Sequence, residues 1–404
     1  MFQQYDDCRS QRGVTLVELM VSLVIGLVIC LAVLAMLNGF ESRKRNTTSV
    51  NDIDQAGNWA LYTLDKWIRS AGSGFSQSDG LAYGCTLTAA LSDTQILPRT
   101  ASLPSPFDEV STGTSNQFQL IPFLIVPDGT TPGVSGDESD VLVVMAGSSG
   151  SGETATMFDD VADTSELHVV SSVSFEADDL LLVVDLSSAA TGSECLIEQT
   201  SSAFSFDSDE PEDMALAGDY YTSAINSVSL TAFTDTDNDA VLNLGNIENE
   251  NPPNFLVIGV GDNNTLVGFD LLQSMNPVDS SGDQQPFPIA DSVFELHALY
   301  GVDSDSDNIV DSWVEATGNY APSSLTAGTS TSFSYIKTIK AVRIGLIMQT
   351  TLPDTERVSE SSLTLFSGLD AEYDRSLSDD EQYYRYRTIE ITIPVRNTLM
   401  LSTS

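Results

Sequence analysis

From Leu19 to Leu37 the chain reads LMVSLVIGLVICLAVLAML, nineteen consecutive residues without a charge. As a helix rising 1.5 Å per residue, such a run is long enough to span a bilayer core of about 30 Å. Extending it back to Val14 and forward to Phe40 admits one ionisable group, Glu18. No A-x-A-like cleavage site follows the run, which reads as an anchor rather than a secretory peptide removed behind it. Arg43, Lys44 and Arg45 follow the span, whereas Arg9 and Arg12 before it are offset by Asp6 and Asp7. Counted by Lys and Arg alone, these flanks favour the C-terminal side as the cytoplasmic one.

Helical periodicity continues beyond the basic cluster. Val50, Ile53, Gly57, Ala60, Leu61, Leu64, Trp67, Ile68 and Ala71 recur at spacings of three and four, and the first proline is Pro98. The pattern predicts one helix from Val14 to Ala71, about 87 Å long. After Gly72-Ser73-Gly74 the texture becomes β, with short apolar runs between turn residues. Strands are expected near 118–121, 141–145, 167–175, 180–186, 255–260, 266–271, 293–302, 336–348 and 386–395. Long polar loops are expected at 100–116, 127–140, 187–194, 201–219 and 351–381. The fold class is therefore α+β: a long N-terminal helix packed on a large, mainly antiparallel β head.

The head is also where the charge resides. The 404 residues hold 58 Asp+Glu and 16 Lys+Arg, a formal net charge of −42. Between Arg99 and Lys337 there is no Lys or Arg but 39 Asp and Glu. Such a surface is repelled by phosphate backbones, so nucleic acid is not an expected partner, and hydrated carboxylates are expected to face solvent. The chain has two histidines, His168 and His297, too few for an imidazole-rich metal site. On the strand expected at 293–302, Phe294, Leu296, Ala298 and Tyr300 form the more apolar face, which places His297 at the surface or rim. No G-x-S-x-G elbow, H-E-x-x-H or Cys–His arrangement points to an enzyme.

A carboxylate near the start of an apolar helix costs up to about 2.5–3.5 kcal/mol at the membrane centre and less near the interface, which makes Glu18 a functional candidate. The surrounding Arg12-Gly13-Val14-Thr15-Leu16-Val17-Glu18-Leu19 resembles the class III signal of type IV prepilins, with Val14 in place of the usual Phe. That resemblance implies cleavage by prepilin peptidase between Gly13 and Val14 on the cytoplasmic side and methylation of Val14. The implied orientation is opposite to the one the flanking charges favour. It also implies that Glu18 pairs with the α-amino group of a neighbouring subunit and sets filament registry. Asp291–Asp303, Ile339–Gln349 and Tyr384–Asn397 further resemble the PilW family of large minor pilins.

What the resemblance implies is an organisation of leader 1–13, transmembrane and filament-core helix 14–40, amphipathic continuation 41–72 and head 73–404. It further implies a type IV minor pilin that helps prime pilus assembly at or near the tip and supports adhesion and motility. The implied partners are prepilin peptidase, the other minor pilins and the major pilin, and a large tip adhesin. The protein would sit in the bacterial inner membrane with its head in the periplasm, then in the pilus tip at the cell surface. The rival readings are a type II secretion pseudopilin, and a membrane-anchored Ca²⁺-binding adhesin or surface hydrolase.

Two features of the head complete the expectations. Cys8 falls in the leader and Cys30 in the apolar run, leaving Cys85 and Cys195 either as a disulfide in an exported domain or as two buried thiols. Asp303, Asp305, Asp307 and Asp311 occupy positions 1, 3, 5 and 9 of an EF-hand-like loop, with Asn308 at position 6. Position 12 is Val314, so the loop reads either as a Ca²⁺ site lacking its bidentate acid or as a solvated acidic turn. No other cofactor is expected.

Overall fold

The structure is a computed structural model that describes residues 13–76, 82–108, 110, 116–130, 139–149, 154–160, 163–187, 193–209, 212–225, 228–248 and 251–399. The expected leader, apart from Gly13, and Cys8 lie outside the described residues. The chain divides into two compact units, Met1–Asp52 and Ile53–Ser404. A single helix, Leu16–Ser70, runs through the boundary, close to the limits that periodicity predicts.

In the first unit the side chains from Leu16 to Leu37 are all exposed, and this stretch of 22 residues is long and apolar enough to cross a membrane. In the second unit the helix continues as part of the head. Ile53, Ala60, Leu64, Ile68 and Ala71 are fully buried and lie three, four or seven residues apart, the spacing of one helix face. Gly57 lies on that face too, where an added Cβ would displace the end of the Ile389 side chain and touch Met348. The helix ends where Gly72 takes φ +83°, a conformation costly for any residue with a Cβ. Its N–H turns to Met145 O (2.8 Å), and the last carbonyls, Ser70 O and Ala71 O, are capped by Asn397 Nδ2 at 3.2 and 2.9 Å.

The head holds three main sheets. One has six strands in the order 94–97, 86–91, 194–199, 179–185, 239–246 and 156–157; the pair Thr86–Leu91 and Glu194–Gln199 is parallel and the rest are antiparallel. A second, antiparallel throughout, orders Phe287–Ala290, Thr265–Asp270, Asn254–Gly261, Ser139–Ala146 and Phe123–Thr130. The third orders Ser312–Val314, Val293–Val302, Ile339–Gln349 and Tyr386–Pro394, also antiparallel. One large apolar cluster joins the buried helix face to residues of all three sheets. Cys85 and Cys195 form a disulfide with Cα atoms 5.7 Å apart, tying the parallel pair together across 110 residues of sequence. The fold is thus a long N-terminal helix and a mainly antiparallel β head.

Four expectations are corrected. Residues 336–338 belong to a helix, Ser330–Thr338, because Thr329 and Ser332 form a capping box at its start. The loop expected at 351–381 contains a hairpin, Ser362–Leu365 paired with Tyr373–Ser376. That hairpin covers the face of the Val293–Val302 strand expected to be open, so His297 is buried, with its ring 3.7 Å from that of Tyr373. Nor do all the carboxylates face solvent: eight described acids are buried, among them Asp179, Glu198, Asp270 and Glu295. Asp179 accepts hydrogen bonds from Asn243 Nδ2 (2.7 Å) and Asn246 Nδ2 (2.9 Å), which offset the cost of burying it.

Candidate functional site

The N-terminal site is built from a helix start. Thr15 precedes the first helical residue, and its Oγ1 accepts the Glu18 N–H at 3.2 Å. Glu18 is the acid of the first turn, where the helix dipole favours negative charge. Thr15-x-x-Glu18 has the spacing of a capping box, of which the Thr15 half is formed. The Glu18 side chain is exposed, as are all its apolar neighbours along the helix. Gly13 lies immediately upstream in open space: a Cβ there would meet nothing within 4 Å. Among the described residues, packing therefore does not demand glycine at this position. Cys30 is a free, exposed thiol on the same apolar stretch.

The acidic loop 303–311 joins two antiparallel strands, Val293–Val302 and Ser312–Val314, rather than two helices. It gathers carboxylates of Asp303, Asp305 and Asp311 within 4.8 Å of one another. Asp307 is outside that group; its Oδ1 accepts the Ile309 N–H at 2.7 Å. Asn308 takes φ +64°, the left-handed conformation that position requires. Repulsion from Asp307 and Asp311 raises the Asp305 pKa, whereas hydrogen bonds from Ser304 hold Asp311 low. Asp303 is buried beneath them and accepts N–H bonds from Ser306 (2.7 Å) and Asn308 (2.9 Å). Lys340 Nζ, also buried and without a hydrogen bond, stands 3.9 Å from Asp303 Oδ2. This lysine partly offsets the negative field and competes with any cation bound above it.

Two polar assemblies escaped sequence reading. Asp163, Glu166 and His168 converge within 4.8 Å, and His168 Nδ1 is 2.8 Å from Asp213, whose hydrogen bond raises the imidazole pKa. More deeply set is a buried ionic seam behind the third sheet. Arg375 Nε contacts Glu295 Oε1 at 2.5 Å and its Nη2 contacts Glu381 Oε1 at 2.9 Å. Glu295 Oε2 also lies 3.2 Å from Tyr373 Oη and 3.3 Å from His297 Nε2. Arg343, in the strand Ile339–Gln349, bonds Glu390 on the adjoining strand at 2.7 Å. The available signal for the seam was the isolated arginine in Tyr373-Asp-Arg-Ser376 amid an acidic stretch.

An exposed apolar helix that opens with Thr15 and Glu18 directly after Gly13 is the arrangement of a prepilin-type N-terminus. Residues 8–34 match the family model described as Prokaryotic N-terminal methylation motif. Residues 260–397 match PilW, described as Type IV Pilus-assembly protein W. Together the two matches support a type IV pilus-related pilin, with a C-terminal region, residues 260–397, similar to PilW. That region includes the whole third sheet, the Arg375 seam and the Asn397 cap. No curated protein and no solved structure gives a match.

Proposed function

We propose that this chain is a minor pilin of a type IV pilus, cut between Gly13 and Val14 by prepilin peptidase and methylated on Val14. It is held in the inner membrane by its apolar helix, with the head in the periplasm. Other minor pilins and the major pilin engage that helix, and the resulting complex primes pilus assembly near the tip, beneath an adhesin. The observation that carries this reading is Glu18 five residues after Gly13 in an exposed apolar helix, within the methylation-motif match and joined to a PilW-type region. The buried partner that Glu18 needs in a helix bundle is the α-amino group of a neighbouring subunit. Gly13→Ala tests the reading cleanly, because the added methyl meets nothing among the described residues. The variant should accumulate as full-length precursor and abolish piliation, and mature-length protein from it would sink the assignment. Glu18→Ala should insert but assemble poorly, and unchanged pilus numbers would remove the registry role. Co-purification with secretion components instead of pilus components would favour a type II pseudopilin.

For the loop 303–311 the proposed ligand is Ca²⁺, supported by the convergence of Asp303, Asp305 and Asp311. Binding would neutralise the repulsion within the loop and stiffen a surface hairpin. Added CaCl₂ should raise the melting temperature of the wild-type protein and leave Asp305→Asn/Asp311→Asn unaffected. An equal response from both proteins would refute this site.

A further inference from the structure

Beside the buried seam the head encloses a cavity of about 240 Å³, open on one side. It is bounded by the Phe123–Thr130 and Val293–Val302 strands, the segment 315–317 and the Ser362–Ser376 hairpin. Among the described residues its ionisable lining is Asp128, Asp140, Glu315, His297 and the phenol of Tyr373, with no lysine or arginine. Asp128 and Glu315 are exposed at its mouth, whereas Asp140 and His297 are each 7% exposed at its floor. Asp140 Oδ2 accepts the Ala298 N–H at 2.8 Å and stands 3.9 Å from His297 Nδ1, too far for a hydrogen bond. Asp140 also takes a backbone N–H bond from Asp128, yet its carboxylate, with about four acceptor sites, keeps hydrogen-bonding capacity, and His297 keeps Nδ1 while Nε2 faces Glu295. The neighbouring cation does not satisfy them, since Arg375 is held by Glu295 and Glu381.

The remaining wall is apolar and aromatic. Leu299 and Phe366 are buried there, and the Tyr373 ring lies against His297. Phe366 adopts φ +59°, a rare conformation for a bulky side chain, with its N–H fixed to Glu390 Oε1 at 2.8 Å. The fold thus tolerates local strain while presenting this ring to the cavity. Anions are repelled by three carboxylates. A bare divalent ion is poorly suited too, because these carboxylates do not converge as those of the 303–311 loop do.

We propose that this cavity binds an organic cation, a primary ammonium or guanidinium group on an apolar stem, with Asp140 accepting its N–H bonds. Charge-assisted hydrogen bonds to Asp140, cation–π contact with the aromatic wall and attraction by Asp128 and Glu315 at the mouth all favour that chemistry. Asp140 has the profile of a recognition group: burial pushes its pKa up to about 6. The site lies within the head and does not rest on the pilin assignment.

Calorimetric titration of the detergent-solubilised full chain with butylguanidinium and butylammonium tests the proposal, with n-butanol as the neutral control. The expected result is saturable one-to-one binding of the cations, and none of butanol. Asp140→Asn should weaken the cations by about tenfold or more. Asp128→Asn/Glu315→Gln, confined to exposed side chains, should weaken them severalfold and reduce the salt dependence. Absence of saturable binding, equal affinity for butanol, or wild-type affinity in both variants would each overturn the proposal. A capped arginine tripeptide added as a further arm separates the sources. Tighter binding than butylguanidinium assigns the site to a partner protein's side chain, and weaker binding assigns it to a small free amine.

Discussion

Arg375→Met removes the guanidinium that sits between two buried carboxylates, Glu295 and Glu381, while keeping most of the side-chain stem. Arg375 and Glu295 are almost fully buried and 2.5 Å apart, and Glu381 lies 2.9 Å from the second arm. Removing one partner from a buried ionic group leaves uncompensated charge, at a typical cost of about 3–5 kcal/mol. Set against a typical domain stability of about 5–15 kcal/mol, that is a large loss. The same contact fixes the hairpin Ser362–Ser376 to the Val293–Val302 strand, so the loss should also loosen the cover over His297. The assay is equilibrium urea denaturation of the full chain in detergent, followed by tryptophan fluorescence; Trp313 packs against the apolar cluster under that hairpin. The variant should lose about 3–5 kcal/mol. Replacing all three residues with apolar ones, Arg375→Met/Glu295→Leu/Glu381→Leu, should recover most of the loss. A loss below about 1 kcal/mol, the range of an exposed ion pair, or a triple variant no better than the single one, would refute the reasoning.

Three further outcomes follow from the geometry. Cys85→Ser/Cys195→Ser opens a loop of 110 residues and should cost about 2–5 kcal/mol, read as a lower urea midpoint that matches the reduced wild type. Asn397→Ala removes two hydrogen bonds to the last helix carbonyls and should cost about 1–3 kcal/mol, with amide exchange accelerating at residues 66–71; unchanged exchange would argue against the cap. Burial raises the Asp140 pKa from 3.8 to about 6, so the folded state binds a proton that the unfolded state has already released between those values. Its contribution therefore falls as pH rises from about 4 to 6, by roughly 3 kcal/mol at 1.36 per unit. Asp140→Asn should flatten that segment of the stability–pH profile and gain stability at neutral pH, and an unaltered profile would show that Asp140 does not cause the slope.

Legibility in the sequence followed the locality of the physics. The long helix was readable because its periodicity and its glycine stop are local, and Val293–Val302 because a long β-rich run carries its own signature. The six-stranded sheet was harder. Asp239–Asn246 and Glu194–Gln199 look polar at their ends, yet partners such as Asn243 and Asn246 allow Asp179 to lie inside this sheet. Gly13, Val14 and Glu18 stood out because their motif is contiguous. The cavity and the Arg375 seam did not, since they join residues 128, 140, 297, 315 and 375 through contacts that no spacing encodes. Asn397 was visible only as the end of a strand motif, although its side chain closes a helix more than three hundred residues earlier.

Mass spectrometry of the N-terminal peptide of the protein isolated from cells tests the central claim most directly. The account predicts a chain that begins at Val14, carrying one methyl group on its α-amino nitrogen. A chain that retains Met1, or begins anywhere other than Val14, would contradict the pilin assignment.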